Sequence, residues 1–274
     1  HGCRGNVNVR PISDMPRNVA AQVKVLFSDI DDTLTTDGRL PAAAYSALEE
    51  LQHCGVAVAP ITGRPAGWCD MIARMWPVMG VVGENGAFYF AYNDEERRMQ
   101  RAYAASQSER KKNRKRLDVI CARILTEVPG AAISADQLFR EADLAIDFCE
   151  DVEPLSQADV ELIKDIFKQE SAVAKVSSIH VNGWYGEYDK LSMSRRFSQE
   201  VLNIDMDAEK DAFIFCGDSP NDAPMFSFFP NACGVANVHD FSGRLEAEPA
   251  WVAQYRGGAG FVEIAEIIIA AQNQ

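Results

Sequence analysis

What the chain lacks narrows its possibilities first. Its 274 residues contain no apolar run approaching the roughly 20 residues that a membrane span needs, and the N-terminal stretch has no apolar core of the signal-peptide kind. Positive charge is in deficit: 27 Lys and Arg stand against 40 Asp and Glu, a formal net charge of -13. A general nucleic-acid or acidic-membrane binder requires a broad basic surface, so both classes are excluded as expectations. The seven cysteines (Cys3, Cys54, Cys69, Cys121, Cys149, Cys216, Cys233) form no CxxC pair and show no metal-ligand spacing. Several lie in apolar segments, where cysteine packs as a small hydrophobe, and the location this predicts is a reducing cytoplasm. No sequence repeat or low-complexity linker is present. What remains is the composition of an ordinary globular protein, 47% hydrophobic and 24% charged.

The pattern along the chain is that of an α/β protein. The run VKVLFS from Val23 reads as a buried strand that ends in Asp29, Ile30, Asp31 and Asp32. Alternation along an extended chain predicts Asp29 and Asp31 on one side, with Ile30 turned to the core. A helix is expected over 41–53, a second strand over 56–61 ending in Thr62-Gly63-Arg64, a helix over 65–75, and a strand over 78–82 ending in Gly83-Glu84-Asn85-Gly86. Strands alternating with helices predict a parallel sheet with crossover connections, whose ligands bind at the carboxyl ends of the strands.

The pattern then changes. An aromatic stretch at 87–92, a helix over 108–127, a strand over 142–149 and a capped helix over 156–170 follow. Next come two strands, 173–181 and 184–188, flanking Asn182-Gly183, a two-residue hairpin signal. The first pattern returns after Asp189, with a helix over 190–202, a buried strand over 211–216 ending in GDSPND, a flexible loop at 257–260 and a last helix over 261–271. The expected organisation is an N-terminal extension (1–22) and a Rossmann-like parallel-sheet core (23–88 and 186–274). An inserted α+β domain (89–185) interrupts that core.

The strand ends gather distinct chemistry: carboxylates at Asp29 and Asp31, a hydroxyl at Thr62, the ammonium group of Lys190, and a second acidic cluster at Asp218 and Asp222. Like charges on one side of a strand end call for a cation between them. Carboxylate oxygens without His or Cys favour Mg²⁺ over zinc. A carboxylate, Mg²⁺ and an ammonium group together suit phosphoryl transfer, where positioning and charge stabilisation do most of the catalysis. An EF-hand loop is excluded by spacing, since Thr33 stands where an acid or Asn is wanted.

DIDDT (Asp29 to Thr33), ITGR with Thr62, Lys190 and GDSPND together resemble the four motifs of the haloacid dehalogenase superfamily phosphatases. The similarity is to the class with a large α+β cap inserted between the second and third motifs. NGA (Asn85 to Ala87) and GVAN (Gly234 to Asn237) are further similarities to its sugar-phosphatase branch, which includes trehalose-phosphate, sucrose-phosphate and mannosylphosphoglycerate phosphatases. The resemblance implies Asp29 as nucleophile and Asp31 as general acid and base. It implies Mg²⁺ held by Asp29, the Asp31 carbonyl, Asp218 and Asp222, with Thr62, Gly63, Arg64, Lys190 and Asn221 around the phosphoryl group. Leu191 follows Lys190 where relatives often carry Gly, a departure from the third motif.

The function this predicts is a Mg²⁺-dependent phosphomonoester hydrolase acting on a small phosphorylated metabolite, a sugar or glycosyl phosphate by the resemblance. A phosphomutase and a non-catalytic sugar-phosphate sensor are the alternatives. Arg64 has two readings, structural pairing or substrate contact. His180 and Trp184, with Asn182, Tyr185 and Glu187, suit sugar recognition, although Trp184 and Tyr185 equally fit a packing role. Asp32 is expected to shape a turn, and Asp143 and Asp147 to lie on the surface. The basic run Arg110 to Arg116 is expected to be a solvated helix face.

Overall fold

A computed structural model describes residues 9–273. Cys3 and the first eight residues of the expected N-terminal extension lie outside the described residues. Along the chain the strands are β1 (Arg10–Pro11), β2 (Val25–Ser28), β3 (Ala57–Pro60), β4 (Val81–Gly83), β5 (Phe88–Asn93), β6 (Arg98–Tyr103), β7 (Ala132–Ile133), β8 (Leu144–Asp147), β9 (Val173–Val176), β10 (His180–Trp184), β11 (Phe213–Gly217), β12 (Cys233–Gly234) and β13 (Trp251–Val252). The helices are α1 (Arg17–Ala21), α2 (Ala42–His53), α3 (Ala66–Met75), α4 (Gln107–Glu127), α5 (Gln157–Gln169), α6 (Lys190–Glu200), α7 (Ala223–Phe228) and α8 (Gly257–Gln272). The chain divides into two compact units: one holds everything up to Ile61, Pro77–Gly80 and the chain from Arg195 on, the other Thr62–Trp76 and Val81–Ser194.

The first unit is built on a six-stranded parallel sheet in the order β1-β13-β12-β11-β2-β3. β2 and β11 are buried along their whole length, which is why both read as continuous apolar runs. Phe27 packs against Phe213 with ring centroids 5.4 Å apart, and Phe229 stacks on Phe213 at 5.6 Å. Each such buried ring contributes roughly 2–3 kcal/mol of transfer free energy. The stretch 257–260, expected as a flexible loop, is instead the first turn of α8. A Cβ on Gly258 would meet Pro41 and the Leu34 carbonyl, so glycine here serves close packing of the helix start.

The second unit carries two antiparallel sheets, β4-β5-β6 and β7-β8-β10-β9. The strand expected over 78–82 does not join the parallel sheet. Glu84, Asn85 and Gly86 have φ of 43°, 59° and 103°, three consecutive left-handed residues that reverse the chain and fold β5 back on β4. The hairpin signal at Asn182-Gly183 is also overturned: both residues lie inside β10, and the turn falls at 177–179. Gly183 is needed because the Phe167 ring of α5 occupies the place of its missing side chain. α4 and α5 bury Leu117, Ile120, Ile124, Ile163, Ile166 and Phe167 against Ile146 and Val181 of the four-stranded sheet. Both helices begin with serine caps, Ser106 and Ser156, whose hydroxyls accept the N–H groups of Glu109 and Asp159.

Candidate active site

The parallel register aligns two acidic segments. Ser28 lies beside Cys216 on neighbouring strands β2 and β11, and the N–H of Asp29 donates to the Cys216 carbonyl at 2.9 Å. The carboxyl ends of both strands therefore deliver Asp29 and Asp218 to the same sheet edge. Asp29, Asp218 and Asp222 are 7%, 2% and 0% exposed, and one carboxylate oxygen from each lies within 4.8 Å of the others. Gly217 makes this possible, since a Cβ there would stand 2.6 Å from the Asp222 Oδ2. That oxygen accepts the N–H groups of Asp218 (2.9 Å) and Ser219 (3.3 Å), which fixes Asp222.

β2 ends at Ser28, one residue before the acidic motif, so strand alternation does not govern Asp29 and Asp31. Residues 31–34 form a tight turn in which the N–H groups of Thr33, Leu34 and Thr35 all converge on the Ile30 carbonyl. Asp32 shapes that turn as expected, with φ of 61° and its N–H bonded to Thr35 Oγ1. Asp31 is half-buried, and its side chain is not one of the clustered three. Thr33 is a residue that sequence reasoning passed over: its hydroxyl donates to Asp218 Oδ1 at 3.0 Å and aims that carboxylate. Asn221 accepts a hydrogen bond from the Ser219 hydroxyl.

Electrostatics explain what the acidic cluster requires. Burial pushes Asp218 well above the usual carboxylate range, and the charges of Asp222, Asp29 and Asp32 add to the rise against the Thr33 hydrogen bond. Three buried carboxylates with all-oxygen donors fit a hard divalent cation, which would offset their mutual repulsion.

Thr62, Gly63, Arg64, His180, Trp184 and Lys190 belong to the second unit. Thr62 is fully buried; its N–H donates to the Val82 carbonyl of β4 and its carbonyl accepts the Asn85 N–H of the turn that follows, so strand and turn hold it from both sides. Gly63 lies against the Asn85 side chain, where a Cβ would come within 3.1 Å of Oδ1. Asn85 is 6% exposed, and its Nδ2 has no hydrogen-bond partner among the described residues. Of the two readings of Arg64, the structure supplies the pairing. Its guanidinium bonds to Asp136 (3.1 Å) and Glu150 (2.5 Å) and lies over the Trp68 ring. His180 Nε2 meets Glu150 at 3.1 Å. Burial would raise Glu150, but hydrogen bonds from His180 and Arg64 hold it at about 2. Trp184 is 1% exposed, with its indole N–H donating to the Tyr188 carbonyl at 3.2 Å. Lys190 opens α6 and is 8% exposed.

Two further residues organise this unit, and nothing in the sequence pattern signalled them. Arg140 donates to Asp136, to Asp143 and to the Gly63 carbonyl (2.8 Å), with its side chain wholly buried. Glu84, also fully buried, accepts N–H groups from Ala66, Glu141, Ala142 and Asp143 at 2.8–3.1 Å. Burial and then the Asp143 charge push Glu84 up to about 7, against Arg140 and the backbone donors. Asp143 and Asp147 are corrected from surface to core: Asp143 pairs with Arg140 and Asn182, and Asp147 accepts the N–H groups of residues 149–151.

Comparison with known proteins agrees with this architecture. Residues 26–117 match the family model of haloacid dehalogenase-like hydrolases. Over that third of the chain the sequence is similar to haloacid dehalogenase-like hydrolases. Among solved structures, Thermoplasma acidophilum 0175 superposes with a TM-score of 0.67 at 17% identity, covering 90% of this chain and 98% of that one. The sucrose-phosphatase of Synechocystis sp., in complex with sucrose and phosphate, gives 0.59 at 17% identity over 90% and 98%. A subclass IIB sugar phosphatase of the same superfamily gives 0.59 at 14% identity over 89% and 98%. No curated protein matched the sequence. No helix among the described residues is long and apolar enough to cross a membrane.

Proposed function

We propose that the protein is a Mg²⁺-dependent phosphomonoester hydrolase that works through an aspartyl-phosphate, with a sugar or glycosyl phosphate as substrate. The observation that carries the reading is the buried cluster of Asp29, Asp218 and Asp222 at the ends of two neighbouring parallel strands. Sucrose-phosphatase and the subclass IIB sugar phosphatase among the similar structures support the substrate class.

In this reading an Asp29 oxygen attacks phosphorus and forms the acyl phosphate while the bond to the leaving oxygen breaks. Asp31 gives that oxygen its proton. As a carboxylate it then takes a proton from water, whose oxygen attacks phosphorus, breaks the bond to Asp29 and releases inorganic phosphate. Thr62 and Lys190 hold the phosphoryl oxygens, with the Gly63 backbone and Asn221 alongside. Asp29, the Asp31 carbonyl, Asp218 and Asp222 would hold Mg²⁺, which would supply neutralisation of phosphate charge there. Arg64 and His180 act within their buried pairings, by shaping the segment next to Thr62.

Phosphate release over a panel of sugar phosphates, with and without Mg²⁺, tests the proposal. Turnover is expected only with the cation and is expected to vanish in Asp29→Asn. Full activity in EDTA, or more than a trace in Asp29→Asn, overturns it.

A further inference from the structure

The basic run on α4 divides in the structure. Arg110 donates to the Ala105 carbonyl at 2.7 Å and lies over the Tyr103 ring, and Arg114 donates to the Asp143 carbonyl at 2.8 Å, so these two serve the fold. Lys112 and Arg116, one helical turn apart, instead line a cavity of about 470 Å³ together with Asn113, Tyr185, Tyr188 and Ser192. The whole cavity belongs to the second unit.

Its walls are fixed in advance. The Arg116 guanidinium stacks 3.5 Å over the Tyr185 ring, and such a stacked guanidinium keeps its N–H edge open to an acceptor in its plane. The Tyr185 hydroxyl is tied to the Glu170 carbonyl at 2.8 Å, and the Tyr188 ring stacks on Trp184 at 5.7 Å. Two acids also reach the cavity. Glu109 is spent on the α4 cap, where it accepts from the Ser106 N–H and hydroxyl, and Glu187 is exposed. Two cations one helical turn apart, two tyrosine rings and an exposed carboxylate in one lining suit a small ligand with a phosphate head and a hydroxylated body.

We propose that this cavity, whose lining includes none of Asp29, Asp218 and Asp222, binds a phosphate-bearing small molecule. Ser192 is two residues beyond Lys190, about 200° around α6, so the cavity and the Lys190 side chain open on different faces of the helix. Ser192 also builds the helix start that presents Lys190. Its N–H donates to Asp189 Oδ1 at 2.7 Å, and its hydroxyl exchanges hydrogen bonds with the Asp189 backbone.

The test is calorimetric titration of the full chain in EDTA with inorganic phosphate and, separately, glucose 6-phosphate. The wild type, Lys190→Ala and the double variant Lys112→Ala/Arg116→Ala are compared, with Lys112→Ala alone as a milder variant at an exposed position. One class of sites is expected to weaken at least tenfold in the double variant, and measurably in Lys112→Ala, while surviving in Lys190→Ala. Tighter binding of glucose 6-phosphate than of phosphate assigns the aromatic wall and Glu187 to the hydroxylated body; equal binding assigns recognition to the phosphate head alone, and both uphold the site. Binding that is unchanged in the double variant, or abolished entirely by Lys190→Ala, overturns the site. Because the readout needs no turnover, it stands apart from failure of the hydrolase reading.

Discussion

Replacing Arg140 by methionine keeps the length of the side chain and removes a guanidinium that donates to Asp136, Asp143 and the Gly63 carbonyl from a fully buried position. Asp143, itself 0% exposed, is left with the Asn182 amide as the hydrogen bond to its carboxylate. Taking one partner from a buried ion pair costs about 3–5 kcal/mol, because the remaining charge stays desolvated. A destabilisation of about 4 kcal/mol is therefore expected, seen as a fall in Tm of about 10 °C. The sign with pH follows from two groups. Burial raises Asp136 but Arg140, with Ser134 and His180, more than reverses this, so Asp136 contributes stability above its unfolded pKa, and the variant forfeits the Arg140 share of it there. Glu84 is raised to about 7 even with Arg140 lowering it; without that cation it rises further, and the loss of stability extends to higher pH. The deficit should be larger at pH 8 than at pH 5. Urea denaturation followed by circular dichroism at both values measures it, and Asp143→Asn added to the variant should recover about 2 kcal/mol through coupling. A deficit below about 1 kcal/mol at pH 8, or a larger one at pH 5, refutes the reasoning.

Three further outcomes are expected. In the wild type, stability contributed through Glu84 is complete below about pH 4.5 and declines as pH rises through about 7, by up to about 3 kcal/mol; Glu84→Gln should flatten that slope, and an unchanged slope assigns it elsewhere. Mg²⁺ at a hundredfold excess over its dissociation constant should stabilise the protein by about 3 kcal/mol in a thermal melt, an effect that Asp218→Asn should abolish. Gly217→Ala forces a methyl group to within 2.6 Å of Asp222 Oδ2; phosphate release should fall at least tenfold, and wild-type kcat/KM in this variant would show that Asp222 does not need its observed position.

The acidic half of the candidate site was legible because its determinants are local. Asp29 and Asp218 each follow an unbroken apolar strand, and a parallel sheet of adjacent buried strands brings such ends together whatever the rest of the chain does. The pairing of Arg64 was not legible, since its partners Asp136 and Glu150 are 72 and 86 residues away and carry no periodic signal. Asn182-Gly183 misled because the sequence of a turn and a glycine placed under an aromatic ring look alike; only Phe167 distinguishes them. Asp143 and Asp147 misled for a related reason: an acid is expected in water unless its partners are known, and here the partners are a buried arginine and a run of backbone N–H groups.

The turn at Glu84 carries a consequence for the order in which the molecule assembles. Its backbone N–H bonds to the Arg64 carbonyl and its carboxylate to the Ala66 N–H, so it holds the segment that follows Thr62. The same carboxylate finds its other donors at Glu141, Ala142 and Asp143, 57 to 59 residues downstream. During synthesis at about 5–20 residues per second, Glu84 waits several seconds for those donors. The Thr62 segment thus reaches its final conformation only after much of the second unit has been made, and a chain truncated before residue 141 leaves it unfinished.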